Sequence, residues 1–109
     1  TPASARRLWL THTLKTAGRI DVDSGAKEAL VRKGASLLPS GIVDVVGLFE
    51  QGDAVEVVCQ GEVIAKGLCL YNAKDLTLIK GKKSKEIASV LGYETTDVAI
   101  HRDDMGLYS

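Results

Sequence analysis

Histidine, cysteine and clustered lysine are the side chains with which so short a chain could do chemistry. Each occurs in a pattern that can be tested. His101-Arg102-Asp103 has the order of a protein-kinase catalytic loop. That loop needs an asparagine five residues after the aspartate to hold a metal ion, and position 108 is Tyr108. The tripeptide therefore reads as a polar strand end with a His–Asp or Arg–Asp contact. Gly81-Lys-Lys-Ser84 has the close of a phosphate-binding P-loop, but the opening glycine should stand where Leu76 is. The residues before it also read as helix, not strand. His12 and His101 are the only histidines, and no Ser, Cys or carboxylate stands in a recognisable dyad or triad. Cys59 and Cys69 lack both C-x-x-C spacing and a histidine cluster, which argues against zinc. Both sit in apolar, strand-like runs and read as reduced core thiols rather than a bridge. Neither catalysis nor a metal or cofactor site is expected of this chain.

What remains is positive charge. Lys80, Lys82, Lys83 and Lys85 form its densest run, with Lys74 nearby. Such a run can bind phosphates, because each contact releases counterions. The plainer reading, a solvated loop, is preferred on residue type alone. Phe49, Trp9, Tyr71, Tyr93 and Tyr108 are the only aromatic residues, so stacking on single-stranded bases is poorly supported. Lys plus Arg and Asp plus Glu both number 14, so any nucleic-acid site must be a local patch.

The elements that must position these residues follow from periodicity and turn chemistry. The 109 residues fit one domain, and a 45% hydrophobic content fits a globular one. No apolar run approaches a membrane span and the start is no signal peptide, so a soluble cytoplasmic protein is the default. Thr1 to Ala5 resembles a linker, and a start at Thr1 without Met suggests an excised C-terminal fragment. Trp9 reads either as an apolar anchor at the domain edge or as part of the domain's own core. Residues 19–23 alternate as a half-buried strand. Asp23 or Ser24 then caps a helix to Lys33, with Ala26, Ala29 and Leu30 inward and Gly34 as left-handed stop. Residues 42–46 and 53–59 read as strands, the second with Val55, Val57 and Cys59 on one face. Gln60-Gly61 reads as a hairpin turn, residues 62–71 as the return strand, and Gly67 as a bulge or close-approach point. Asn72 caps a short helix to Ile79, and Ser84 caps another that ends at Gly92. Residues 97–101 read as the last strand. This pattern alone implies an α+β fold or a small barrel.

The run Gly34-Ala-Ser-Leu-Leu-Pro-Ser-Gly-Ile-Val-Asp-Val-Val46, followed by Phe49-Glu-Gln-Gly-Asp53, resembles the signature of a PUA domain. Asp23-Ser-Gly-Ala26, Ala65-Lys-Gly67, Ile79-Lys-Gly-Lys-Lys-Ser84 and Ile100-His-Arg-Asp103 resemble the C-terminal PUA domain of bacterial glutamate 5-kinases. The resemblance runs from about Arg6 to Met105. Leu10-Thr-His-Thr13 and Glu94-Thr-Thr-Asp97 depart from it.

It implies a mainly β, α+β pseudo-barrel of short mixed strands with small helices. The expected organisation is a linker and extension at 1–17, the PUA domain at 18–105 and a tail at 106–109. It implies a parent enzyme that phosphorylates the γ-carboxylate of L-glutamate with ATP and magnesium, under feedback by proline. That chemistry would lie in a preceding amino-acid kinase domain of the same chain, itself homo-oligomeric, so the fragment would be silent and monomeric. In PUA domains of RNA-modification enzymes the first helix, its glycine turn and the next strand lie on duplex RNA. By that resemblance Lys27, Arg32, Lys33, Gly34 and Gly41 join Lys80, Lys82, Lys83 and Lys85 as candidate contacts to structured RNA. The alternative, that both glycines serve only as helix stop and turn, stays open, as does a core-plug role for Leu37, Leu38 and Pro39. Three functions compete: a regulatory or structural appendage, an RNA-binding module, and the tail of a tRNA- or rRNA-modifying enzyme.

Overall fold

Two strands of this chain run parallel, and a parallel pair needs a long crossover instead of a tight turn. They are β1 (Gly18–Val22) and β3 (Ala54–Cys59), in register from Gly18 opposite Val55 to Asp21 opposite Val58. Everything between them serves as the crossover: α1 (Ser24–Lys33), a 3-10 turn (Pro39–Gly41) and β2 (Ile42–Gly47). The computed structural model describes residues 16–92 and 98–107. Trp9, His12, Tyr93, Tyr108 and the two departing segments lie outside them. After β3 come β4 (Glu62–Leu68), α2 (Ala73–Ile79), α3 (Ser84–Leu91), a second 3-10 turn (Arg102–Asp104) and β5 (Met105–Leu107). They complete a five-stranded mixed sheet in the order β2-β1-β3-β4-β5, an α+β fold that is mainly β.

β3 is central and covered on both faces. Val55, Val57 and Cys59 are buried as their alternation requires, but Ala54 and Val58 are buried as well. In β1 the alternation is clean, with Ile20 and Val22 inside and Arg19 held 3.1 Å from Asp21 outside. Leu30 from α1, Leu37, Leu76 and Ile79 from α2, and Ile100 complete one core. Burying an aliphatic side chain of this size contributes roughly 1.5–3 kcal/mol, so this cluster dominates the stability of the fold.

Local chemistry sets the ends of the elements. Asp23 Oδ1 accepts the Ala26 N–H at 2.7 Å to start α1, and Asn72 Oδ1 accepts the Asp75 N–H at 2.8 Å to start α2. Gln60 and Gly61 both have positive φ, 52° and 82°, the backbone that a two-residue hairpin needs to match strand twist. At α3 the expected cap shifts by one: Lys83 holds the extended cap position and Ser84 is already helical. A lysine side chain has no acceptor, so Glu86 reaches back to the Lys83 N–H at 3.5 Å instead.

Two strand expectations need correction. β4 stops at Leu68, because Cys69 turns to bond Asp53 and Leu70 donates to Ala99. The last strand is not residues 97–101. Ile100 makes only an isolated bridge to Leu37, and the final strand is β5, which extends through Gly106 and Leu107. Three residues with a central glycine are too few to show alternation.

Gly67 is the tightest point between β4 and β5. A Cβ there would lie 2.7 Å from Ile100 Cγ2 and 2.8 Å from the Asp104 carbonyl oxygen. The backbone oxygen cannot swing away as a side chain can. Gly67→Ala is therefore expected to destabilise the protein by about 1–3 kcal/mol, read as a lower urea midpoint. An unchanged midpoint would show that β5 can move aside freely.

Candidate functional site

The predicted basic residues come from two distant segments, and the 3-10 turn joins them. The Asp23 N–H donates to the Gly41 carbonyl at 3.1 Å, which fixes the turn to the start of α1. The Gly81 N–H donates to the Pro39 carbonyl at 2.7 Å, which fixes the lysine loop to the other side of the turn. The turn is thus a common anchor for both segments. Lys27 lies near the start of α1 and Arg32 and Lys33 at its far end, while Lys80, Lys82 and Lys83 follow α2 and Lys85 stands in the first turn of α3.

These basic residues are only partly neutralised. Glu28 lies 4.0 Å from Arg32, one helical turn away and well exposed, so this pair contributes little to stability. Asp44 of β2 takes Lys80 at 3.6 Å, which turns that ammonium toward the sheet edge. Among the described residues Lys27, Lys33, Lys82, Lys83 and Lys85 make no ion pair. Lys33 and Arg32 also sit in the last turn of α1, where the helix dipole favours cations.

The two glycines have structural jobs. Gly34 is a left-handed helix stop at φ 62°, and the Ala35 N–H closes the helix end on Ala29 at 3.1 Å. Gly41 faces the helix: a Cβ there would lie 2.6 Å from Ala26 Cβ. Its missing side chain lets the turn press on α1, although the residue itself stays half-buried. Leu37 and Pro39 are buried core plugs, whereas Leu38 is exposed.

Beside Leu38 lies a cleft of about 280 Å³ between α1 and the turn, lined by Asp23, Ala26, Leu30, Ser36, Ser40 and Leu38. Ser36 and Ser40 carried no signal in the sequence, because isolated serines in a turn read only as turn formers. Ser36 Oγ accepts the Arg102 N–H at 2.9 Å, tying the second 3-10 turn to the end of α1.

The remaining candidates for chemistry have structural roles. His101 caps the second 3-10 turn: its Nδ1 accepts the Asp103 N–H at 3.1 Å, which leaves the ring proton on Nε2. Asp103 Oδ2 lies 3.6 Å from the same nitrogen, a favourable contact only for the protonated ring. Among the described residues no group of three His, Cys, Asp or Glu side chains could hold a metal ion. Among the described residues no helix is long and apolar enough to cross a membrane.

Cys59 and Cys69 are both buried and free. Cys59 ends β3 opposite Glu62, while Cys69 bonds Asp53 at the other end of that strand. At roughly 3.3 Å per residue they are about 20 Å apart, far beyond disulfide reach. Burial pushes the Cys69 thiol up from 9.0 to about 11, against backbone hydrogen bonds from Tyr71 and Leu70 that favour the thiolate. It is therefore no nucleophile near neutral pH.

The family model of the PUA domain matches residues 18–91, and the chain belongs to that family. Within it, the chain is similar to the C-terminal part of glutamate 5-kinases. The glutamate 5-kinase of Salinibacter ruber is 49% identical over 108 residues, which cover 95% of this chain and 29% of that protein. That of Idiomarina loihiensis is 50% identical over 106 residues, with the same coverage of each. The chain thus spans under a third of the length of these curated relatives. A solved PUA domain from Aeropyrum pernix K1, crystallised with tartrate, aligns with a TM-score of 0.55 and 27% identity over 77% of this chain and 41% of its own. The archaeal box H/ACA sRNP Nop10–Cbf5 complex shares the fold, with a TM-score of 0.53 and 18% identity over 85% of this chain and 24% of its own.

The Cys69 thiol predicts an alkaline limit to stability. Its folded value lies above the unfolded one, so its contribution is complete below pH 9 and fades as pH rises toward 11. Urea unfolding between pH 8 and 11 is expected to show a falling midpoint whose slope is reduced in Cys69→Ala. An identical slope in the variant would assign the loss to other groups.

Proposed function

We propose that this chain is the C-terminal domain of a glutamate 5-kinase, acting there as a regulatory and structural appendage. One observation carries the reading: near-half identity to glutamate 5-kinases over about 95% of the chain. The parent enzyme would transfer the γ-phosphate of ATP to the side-chain carboxylate of L-glutamate in the cytoplasm, at the first step of proline biosynthesis. ATP, magnesium and glutamate would all be held by the preceding amino-acid kinase domain. No residue of this chain is assigned to them. The buried thiols and the capping role of His101 support a catalytically silent tail. Oligomerisation would reside in the kinase domain, leaving the tail by itself monomeric.

A second reading adds structured RNA as a partner of the same tail. Unpaired charge favours it: Lys27, Lys33, Lys82, Lys83 and Lys85 make no ion pair among the described residues, and the Pro39–Gly41 turn bonds both the start of α1 and the lysine loop. Their density suits phosphate contacts, which position a protein on RNA without reading sequence. With a neutral whole-chain charge, any such contact would be a local patch. The fold neighbours make an RNA-modifying parent the alternative, and the identity to glutamate 5-kinases weighs against it.

The kinase reading is tested by glutamate-dependent ADP release from the full-length polypeptide that carries this chain. Turnover is expected there and none from the 109 residues alone; a full-length protein that releases no ADP with glutamate would overturn the assignment. The RNA reading is tested by NMR titration with total tRNA at low and near-physiological salt. Lys82→Glu with Lys83→Glu is expected to weaken binding and to lower the salt slope by about 2, one per lost phosphate contact. Unchanged affinity would move the contact to Arg32 and Lys33. No shifts at low salt would leave the appendage role alone.

A further inference from the structure

Leu48 is 97% exposed, although its neighbour Phe49 is buried. The loop that displays it is fixed at several points. The Phe49 ring lies over Gly18, where a Cβ would come within 2.5 Å of Phe49 Cδ2. The Phe49 carbonyl accepts the Ala73 N–H at 2.9 Å, and Asp53 Oδ2 accepts the Glu50 N–H at 2.9 Å. A leucine held in water by an already ordered loop loses little conformational entropy when something covers it.

Leu48 continues an exposed apolar edge. β2 is the terminal strand of the sheet, with Val43 60% and Val46 40% exposed. Val43 is the extra residue of a bulge, since Asp21 pairs with Asp44 but Val22 pairs with Ile42. Bulges and charges normally blunt such an edge. Here the charges cancel locally, Arg19 with Asp21 and Lys80 with Asp44. An edge with three exposed aliphatic residues and internally paired charges suits an apolar protein surface better than a nucleic acid.

The covalent path points to one such surface. The Ala17 N–H donates to the Ala54 carbonyl at 2.8 Å, and Gly18 pairs with Gly47. A Cβ at Gly47 would lie 3.0 Å from the Ala17 carbonyl oxygen, so the chain comes into the sheet beside Leu48. Whatever precedes Thr16 reaches the domain at this corner. The curated relatives devote over two thirds of their length to sequence outside the matched region. A domain tethered at this corner meets the edge at high effective concentration, so a modest apolar contact suffices to seat it.

We propose that the outer edge of β2 with Leu48 is the docking surface for the upstream domain of the same polypeptide. This rests on reading the chain as the tail of a longer enzyme.

The test uses Leu48→Cys, with Val90→Cys on α3 as an exposed control, in the 109-residue chain and in the full-length polypeptide. Maleimide labelling is followed at the single site by peptide mass spectrometry, and the buried Cys59 and Cys69 supply a slow internal reference. The expected result is at least tenfold slower labelling at position 48 in the full-length protein, with position 90 equal in both. Equal rates at position 48 would overturn the proposal. So would slow labelling already in the isolated chain: if relieved by dilution it would assign the edge to a second copy, and if not, to the chain's own first residues. ADP release by the same full-length sample reports separately on the kinase reading.

Discussion

β3 can lie parallel beside β1 only because the chain between them returns through β2, which runs antiparallel along the other flank of β1. A parallel ladder has no two-residue closure, so residues 23–53 are committed to a crossover. That commitment decides most of the remaining architecture. It places α1 over the core through Leu30, makes β2 an outer strand, and leaves β3 buried on both faces. The tight Gln60–Gly61 hairpin then lays β4 on the free side of β3. Ile100 and β5 close against Gly67, where the backbones come together too closely for any side chain.

The same crossover gives the basic segments a common anchor. α1 and the lysine loop are far apart in sequence and share no direct hydrogen bond among those described; both bond the Pro39–Gly41 turn. The turn can sit so close to α1 only because residue 41 has no Cβ to strike Ala26. Gly41 therefore matters to that anchor through packing. A glycine suited to close approach of a partner backbone is equally suited to close approach of the protein's own helix, and the sequence cannot distinguish the two.

Lysines and aliphatic side chains are both left in water. Lys82, Lys83 and Lys85 are exposed, and so are Val43, Val46 and Leu48 of β2 and the loop after it, with Val31 and Leu38 exposed on α1 and before the 3-10 turn. Neither requires a titrating group; among the described residues His101 serves as a cap, and Cys59 and Cys69 lie in the core.

Much of the fold was legible because its signals are local. Asp23 and Asn72 cap the helices they precede, Gly34 and Gly92 end theirs in left-handed backbone, and Ile20 with Val22 alternates inward. Each of these depends on a few adjacent residues, so their order along the chain suffices. The motif runs likewise carried the family, since a domain signature is a property of sequence. β5, the bridge from Leu37 to Ile100 and the early end of β4 were not legible, because each exists only through a partner remote in sequence. For the candidate site the sequence named the lysines and arginine but not the turn's bonds to both segments, nor the serines of the cleft, nor the exposure of Leu48. Packing alone sets which exposed residues become neighbours and which leucine stays in water, because burial is decided by what the rest of the chain covers.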